Sequence, residues 1–249
     1  MATSTTVQVT RQSALQRRPF YIGASLLMGL IAVVGFWPTY FGPLVTGTIA
    51  QPLLIHIHAT VFTGWLVLFL TQAILAATKH VTWHLRLGKV GIAYGALLVI
   101  VGLITGVLRS SRLPLGGPAE DLLLAATADM IVFSGFFTAA IVYRRKPQVH
   151  KRLMMVAANM LLIAAVARMT FIPPPPAGFP LFFAIWFLPL ISAMAYDYRR
   201  QRHIHTVYLI GVGVFVVRIL AITIHDTEAW RAFTRVVVES VTPPISGRM

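Results

Sequence analysis

The sequence predicts an all-α polytopic membrane protein, a seven-transmembrane-helix bundle with its N-terminus in the cytoplasm and its C-terminus outside. Three observations predict it. Of 249 residues, 57% are hydrophobic and 11% charged, with mean hydropathy +0.77; soluble domains carry about a quarter charged residues. Apolar segments near the ~20 residues that cross a ~30 Å hydrocarbon core recur seven times. They lie at roughly 20–41, 53–78, 90–108, 122–143, 153–172, 181–198 and 206–225. The basic residues, finally, favour every second connection between them.

That bias sets the direction. Arg11, Arg17 and Arg18 precede the first span, Lys79, Arg86 and Lys89 follow the second, and Arg144, Arg145, Lys146, Lys151 and Arg152 follow the fourth. With Arg199, Arg200 and Arg202 after the sixth, 14 of the 21 Lys and Arg fall on one side. The other side has Arg109, Arg112, Arg231, Arg235 and Arg248, while Arg168 and Arg218 fall inside predicted spans. By the positive-inside rule the richer side is cytoplasmic, which fits a bacterial inner (plasma) membrane protein. A net charge of +14 spread over loops in this way does not form a nucleic-acid surface. Arg17-Arg18 before the first apolar run resembles the start of a signal peptide, but no small-residue cleavage site follows, so the run is expected to stay as the first helix.

Three regions follow: a cytoplasmic basic tail over 1–19, a seven-helix domain over 20–225 and an outer tail over 226–249. Phe36, Trp37, Tyr40 and Phe41 stand where an aromatic belt is expected. Pro173 to Pro176 in a row predict an outer loop near 172–180. In the outer tail Trp230, Phe233, Val237 and Val241 share a helical face, as in a short helix lying along the interface.

No cysteine is present, which excludes disulfides, thiolate metal sites, iron–sulfur clusters and cysteine nucleophiles. Ionisable groups inside spans are costly and tend to face the bundle interior. Asp129, Arg168 and Arg218 are such groups, and with His58 they are predicted to share the outer half of the bundle, His225 following Arg218 on the same face. His58 heads a stripe through Phe62, Trp65, Phe69 and Gln72 at helical spacing. One acid beside two arginines invites an anionic ligand: haem propionates, a quinone oxygen, a carboxylate or a phosphate. The plainer reading pairs Asp129 with one arginine while the other snorkels to the headgroups. Gly88, Gly91, Gly95, Gly102 and Gly106 line one face of the third span. That face serves close helix packing, or else Gly95 and Gly102 form the wall on which a flat cofactor lies. Leu98→Ala is expected to cost less than Gly95→Leu or Gly102→Leu.

Five of the eight histidines sit toward the basic side: His80, His84, His150, His203 and His205. His80 and His84 share a face if the second helix continues past the membrane, and with His150 and His205 they could ligate a metal ion. Solvated loop histidines are the alternative.

The runs HATVFTGWLVLFLTQ (58–72), WHLRLGKVG (83–91) and HKRLMMVAANMLLIAAVAR (150–168) resemble a family of uncharacterised bacterial seven-helix membrane proteins with H-x-R-L-G and H-K-R-L-M motifs. The resemblance implies that His58, His84, Arg86, His150, Lys151, Arg152 and Arg168 matter. Where the family tends to have proline after the histidine matching His205, this chain has Thr206. In layout, histidines near both faces are more distantly similar to transmembrane b-type cytochromes and haem A synthase. That similarity implies haem b, held by an outer pair His58 and His225 with Arg168 and Arg218 on the propionates, or by an inner pair His84 and His150. Two other readings stay open: a subunit or assembly factor of a larger membrane complex, and a His-ligated metal-dependent membrane hydrolase or hydroxylase. The expected partners are the lipid bilayer, haem or quinone, and other membrane subunits.

The charge bias generates a direct test of orientation. A C-terminal reporter that works only outside the cytoplasm should be active and a cytoplasm-only reporter silent; the reverse would exchange inner and outer ends.

Overall fold

The computed structural model describes residues 19–242, so Arg11, Arg17, Arg18 and Arg248 and most of the basic tail lie outside the described residues. Within them, α1 (Pro19–Phe36), α2 (Leu53–Ala77), α3 (Val81–Ser110), α4 (Pro118–Val142), α5 (Pro147–Met160), α6 (Phe179–Gln201), α7 (Thr206–Leu220) and α8 (Glu228–Val241) follow in order, without strands. Seven of the helical segments are long and apolar enough to cross a membrane, which is the architecture of a multi-pass membrane protein.

Local chemistry sets several boundaries. α1 continues through a π-helical turn, Trp37–Phe41, and a last turn, Gly42–Val45. Pro38 has no N–H for the Val34 carbonyl, and the widened turn absorbs the missing bond. α3 and α5 begin before their apolar runs do, carrying Lys89, Lys151 and Arg152 on helices rather than in loops. α5 stops early, at Met160. There the Asn159 carbonyl accepts from the Trp186 indole at 3.1 Å, while Asn159 Nδ2 donates to the Trp186 carbonyl at 3.2 Å. After a short turn of helix, Ile163–Val166, the chain leaves helical geometry, so Arg168 lies past the end of the fifth span and not inside it.

The connections α2–α3, α4–α5 and α6–α7 share one end of the bundle, its basic end; the opposite one is the far end. α5 is the central element, in contact with α4, α6 and α7, and eight of its 14 residues are buried. Small residues make this possible. Ala157 and Ala158 are inaccessible, and Gly211 on α7 leaves room for Val156.

The glycine face of α3 packs against α4. A Cβ at Gly95 would strike Phe137, at Gly102 the Met130 sulfur, and at Gly106 the Ala126 methyl. Gly95 and Gly102 therefore are not a cofactor wall: aromatic and thioether side chains of α4 already fill that space. Leu98, on the same face, is fully buried, so truncating it opens a cavity and is not the mild change expected. A closer approach, not singled out in the sequence, joins α1 to the turn after α5, where a Cβ at Gly35 would overlap the Ala165 carbonyl.

α8 folds back on α3 and α4. Trp230 donates its indole N–H to the Glu120 carbonyl at 3.1 Å, and Thr234 and Val238 are the buried positions. Phe233, predicted to share the apolar face, is half exposed instead.

Backbone approaches this close do not tolerate bulk, and over-packing costs about 1–3 kcal/mol or more. Gly35→Ala and Gly95→Leu should each lower the unfolding temperature in detergent. Gly29→Ala, where an added Cβ meets nothing within 4 Å, should not. Equal temperatures for all three would mean that these helix contacts do not hold the bundle together.

Candidate functional site

The basic end is organised by a pair of charges. Arg152 and Asp197 are 0% and 1% accessible, and they form a two-pronged bridge: Nε to Oδ2 at 2.7 Å and Nη2 to Oδ1 at 2.9 Å. Nη1 donates to the Gln148 carbonyl and, at 3.1 Å, to its Oε1. The guanidinium also lies 6.0 Å from the Tyr208 ring centre. Planar, two-pronged pairing satisfies most of the donors of a buried arginine, which cannot shed its charge. In the sequence Arg152 looks like one more loop cation. The available signal was Asp197, the only acidic residue in the basic half of the chain pattern.

Beside this pair lies a cavity of about 290 Å³, walled by α2, α3, α4, α5 and the start of α1. His84 and His150 line it from different spans, with Gln72, Lys151, Trp65 and Phe137. His150 donates from Nδ1 to the Ala140 carbonyl at 2.8 Å. That bond fixes the ring and leaves Nε2 with its lone pair, the arrangement that outer-shell partners impose on ligating imidazoles. His84 Nδ1, Gln72 Oε1 and Trp65 Nε1 are buried without hydrogen-bond partners. Three unmet polar atoms around one cavity are costly unless something occupies it. Lys151 sits at 5.0 Å from the Tyr21 ring centre, and Trp65 meets Phe133 and Phe137 edge-on at 5.3 and 5.4 Å. The predicted stripe from His58 thus runs the length of α2, and its lower members Trp65, Phe69 and Gln72 reach this cavity.

The other basic-end histidines do not join it. α2 ends at Ala77, so His80 and His84 both belong to the start of α3. His80 is exposed with Nδ1 2.9 Å from Thr78 Oγ1, while His84 turns inward. His203 is exposed near the Gln201 carbonyl. His205 caps α7, its Nδ1 accepting from the Val207 N–H at 3.3 Å. Burial, then the Arg152 charge, hold His205 below the usual imidazole range, which keeps that lone pair available. Among the described residues no three His, Asp or Glu gather as a metal ion would require, so His80, His84, His150 and His205 do not form one metal centre.

The far-end residues divide into separate groups. Asp129 and Arg218 pair at 2.7 Å with side chains 13% and 8% accessible, a bridge between α4 and α7. Arg168 does not join them. It is exposed, donates to the Ala164 carbonyl and lies 5.1 Å from the Phe36 ring centre. His58 stacks on Phe62 at 4.1 Å, its Nδ1 buried without a partner. His225 is drawn elsewhere, 3.6 Å from Asp121 and 3.1 Å from Asp226. The cause is local: α7 ends at Leu220, and the 3-10 turn Ala221–Asp226 rotates His225 off the face of Arg218. His58 and His225 therefore do not form an outer pair, and the predicted shared site of His58, Asp129, Arg168 and Arg218 is resolved into an ion pair and a cationic rim.

No protein-family model, curated relative or solved structure matches the chain.

Removing one partner of a buried ion pair leaves an uncompensated charge and costs about 3–5 kcal/mol, whereas apolar replacement of both is often neutral. Asp197→Asn should lower unfolding stability by roughly that amount. The Arg152→Met, Asp197→Leu double variant should regain most of it. An Asp197→Asn protein as stable as the parent in thermal unfolding would show that the pair contributes nothing net.

Proposed function

We propose that this protein is a multi-pass bacterial inner-membrane protein that holds a redox cofactor in the basic-end cavity, with haem b between His84 and His150. One observation carries the reading: two imidazoles from separate spans line one largely apolar cavity, and the outer nitrogen of one is pinned by a backbone carbonyl. A six-coordinate haem asks for two such rings, an aromatic slot and a cation near the propionates; Trp65 and Phe137 suit the second need and Lys151 the third. When bound, haem supplies one-electron chemistry, while the protein sets orientation and potential. His150, its ring oriented by the Ala140 bond, and His84 are the residues that would hold the group. By the positive-inside bias this cavity opens toward the cytoplasm.

A quinone is the second reading, and a specific observation favours it. Trp65 Nε1, Gln72 Oε1 and His84 Nδ1 all lack partners, and ring oxygens would answer the two nitrogens if His84 carries its proton on Nδ1. The volume, about 290 Å³, lies just below the roughly 300 to 1,000 Å³ of ligand cavities, which suits a small head group better than a large one.

The absorption spectrum of protein purified from a haem-replete host separates the two. The haem reading expects Soret and α bands that sharpen on reduction. His84→Ala and His150→Ala should each cut haem content at least about tenfold, the loss that even an outer-shell partner can cause. A parent protein with no haem bands after haem supply, but with a quinone in its solvent extract, would replace the first reading with the second.

A further inference from the structure

At the far end, well away from the proposed cofactor cavity, a cationic rim borders an apolar groove. The groove, about 340 Å³, runs between Val33, Val34 and Trp37 of α1 and its π-turn on one side and Met169 and Phe171 on the other. Val34, Trp37 and Phe171 are 39%, 52% and 58% exposed, so the groove is open along its length. At its edge stands Arg168, next in sequence to Met169, with its guanidinium stacked over Phe36. Among the described residues it makes one hydrogen bond, to the Ala164 carbonyl, which leaves most of its donors unspent. The Arg109 charge at the end of α3 reaches Arg168, and the Arg168 charge reaches His58, whose Nδ1 is buried and unmet.

Four of the six acids of this end are committed elsewhere, and Glu228 and Glu239 lie on α8. Asp129 is held by Arg218, Asp121 faces His225, Asp226 binds Arg231, and Glu120 accepts the Gly116 and Gly117 N–H groups. Among the described residues no carboxylate pairs with Arg168 or Arg109. A guanidinium at the rim of a hydrocarbon-lined groove calls for one ligand that is anionic at one end and apolar along the rest.

We propose that Arg168, within reach of the Arg109 charge, binds the phosphate of an anionic phospholipid whose acyl chain occupies the groove between Trp37 and Phe171. Guanidinium matches phosphate with two parallel N–H···O bonds, and its stacking on Phe36 orders the fork in advance. Trp37 belongs to the aromatic cluster expected at the outer boundary, where an indole spans headgroup and chain. Binding here is independent of whatever the basic-end cavity holds.

The test is native mass spectrometry of delipidated protein in detergent, titrated with dioleoyl phosphatidylglycerol, dioleoyl phosphatidylcholine or inorganic phosphate. The parent should prefer phosphatidylglycerol over phosphatidylcholine by about fivefold or more, the effect of one cation near an anionic lipid (~1 kcal/mol). Arg168→Gln should abolish the preference, Arg168→Lys should keep most of it, and Trp37→Ala should weaken both lipids. Arg235→Gln, on the outward side of α8, should change nothing. Equal affinity of the parent for both lipids overturns the proposal, as does a preference that survives in Arg168→Gln. Competition by inorganic phosphate at concentrations comparable to the lipid overturns the lipid as occupant and leaves an anion site. Should Arg168→Gln fail to fold, Arg109→Gln carries the same expectation of a reduced preference, and its failure to reduce it overturns the proposal equally.

Discussion

Arg152 and Asp197 are both shut off from solvent, and neither charge could remain there without the other. Taking two ions out of water costs several kcal/mol each, so the bridge is tolerable only because its geometry is two-pronged and the remaining donors go to Gln148. Its net energy is modest. What it supplies is register: it ties the start of α5 to the end of α6, with the Tyr208 ring of α7 beside the guanidinium. A shift of α5 by one residue would rotate Arg152 about 100° away from Asp197 and strand both charges. The central helix is thereby fixed about its own axis.

That rotation decides what the other side of α5 presents. His150 is two residues before Arg152, on a different face, and with Arg152 held inward toward α6 it meets the Ala140 carbonyl and the cavity. Lys151, between them, is directed over Tyr21 of α1. The H-K-R triplet thus serves three neighbours at once. Toward the other end, α5 ends where Asn159 and Trp186 exchange hydrogen bonds, and this early stop carries Arg168 out of the span to the rim of the far-end groove. The cavity and the cationic rim are consequences of where one helix begins, how it is turned and where it breaks.

Electrostatics divides the two ends differently. The basic end has one acid for many cations, and that acid is spent on a buried partner. At the far end Asp129, Asp121, Asp226 and Glu120 are paired locally, with Arg218, His225, Arg231 and backbone N–H groups. Among the described residues no carboxylate pairs with Arg168 or Arg109, which leaves both to groups outside the protein. The predicted sharing of His58, Asp129, Arg168 and Arg218 failed for this reason: similar depth along different helices says nothing about azimuth, and Asp129 had a nearer cation.

The class of the molecule and its seven apolar spans are legible in the sequence alone, because hydrocarbon thickness imposes a segment length that hydropathy reveals directly. It also showed that the glycine face of α3 is a contact surface, since periodicity is a property of one helix alone. It marked Asp129 and Arg218 as inward-facing groups and His84 and His150 as candidate ligands, though not who meets whom. Partnership was decided only by the tertiary structure. Asp197 reaches Arg152 across 45 residues of chain, Asp129 reaches Arg218 across 89, and His150 reaches Ala140 through a turn that carries α5 back along α4. Ends were likewise hidden: polar residues continue α3 and α5 beyond their apolar runs, and a bond from a tryptophan on α6 closes α5. Hydropathy reads solvent preference residue by residue, whereas pairing and termination depend on rotation about each helix axis and on groups that another helix brings.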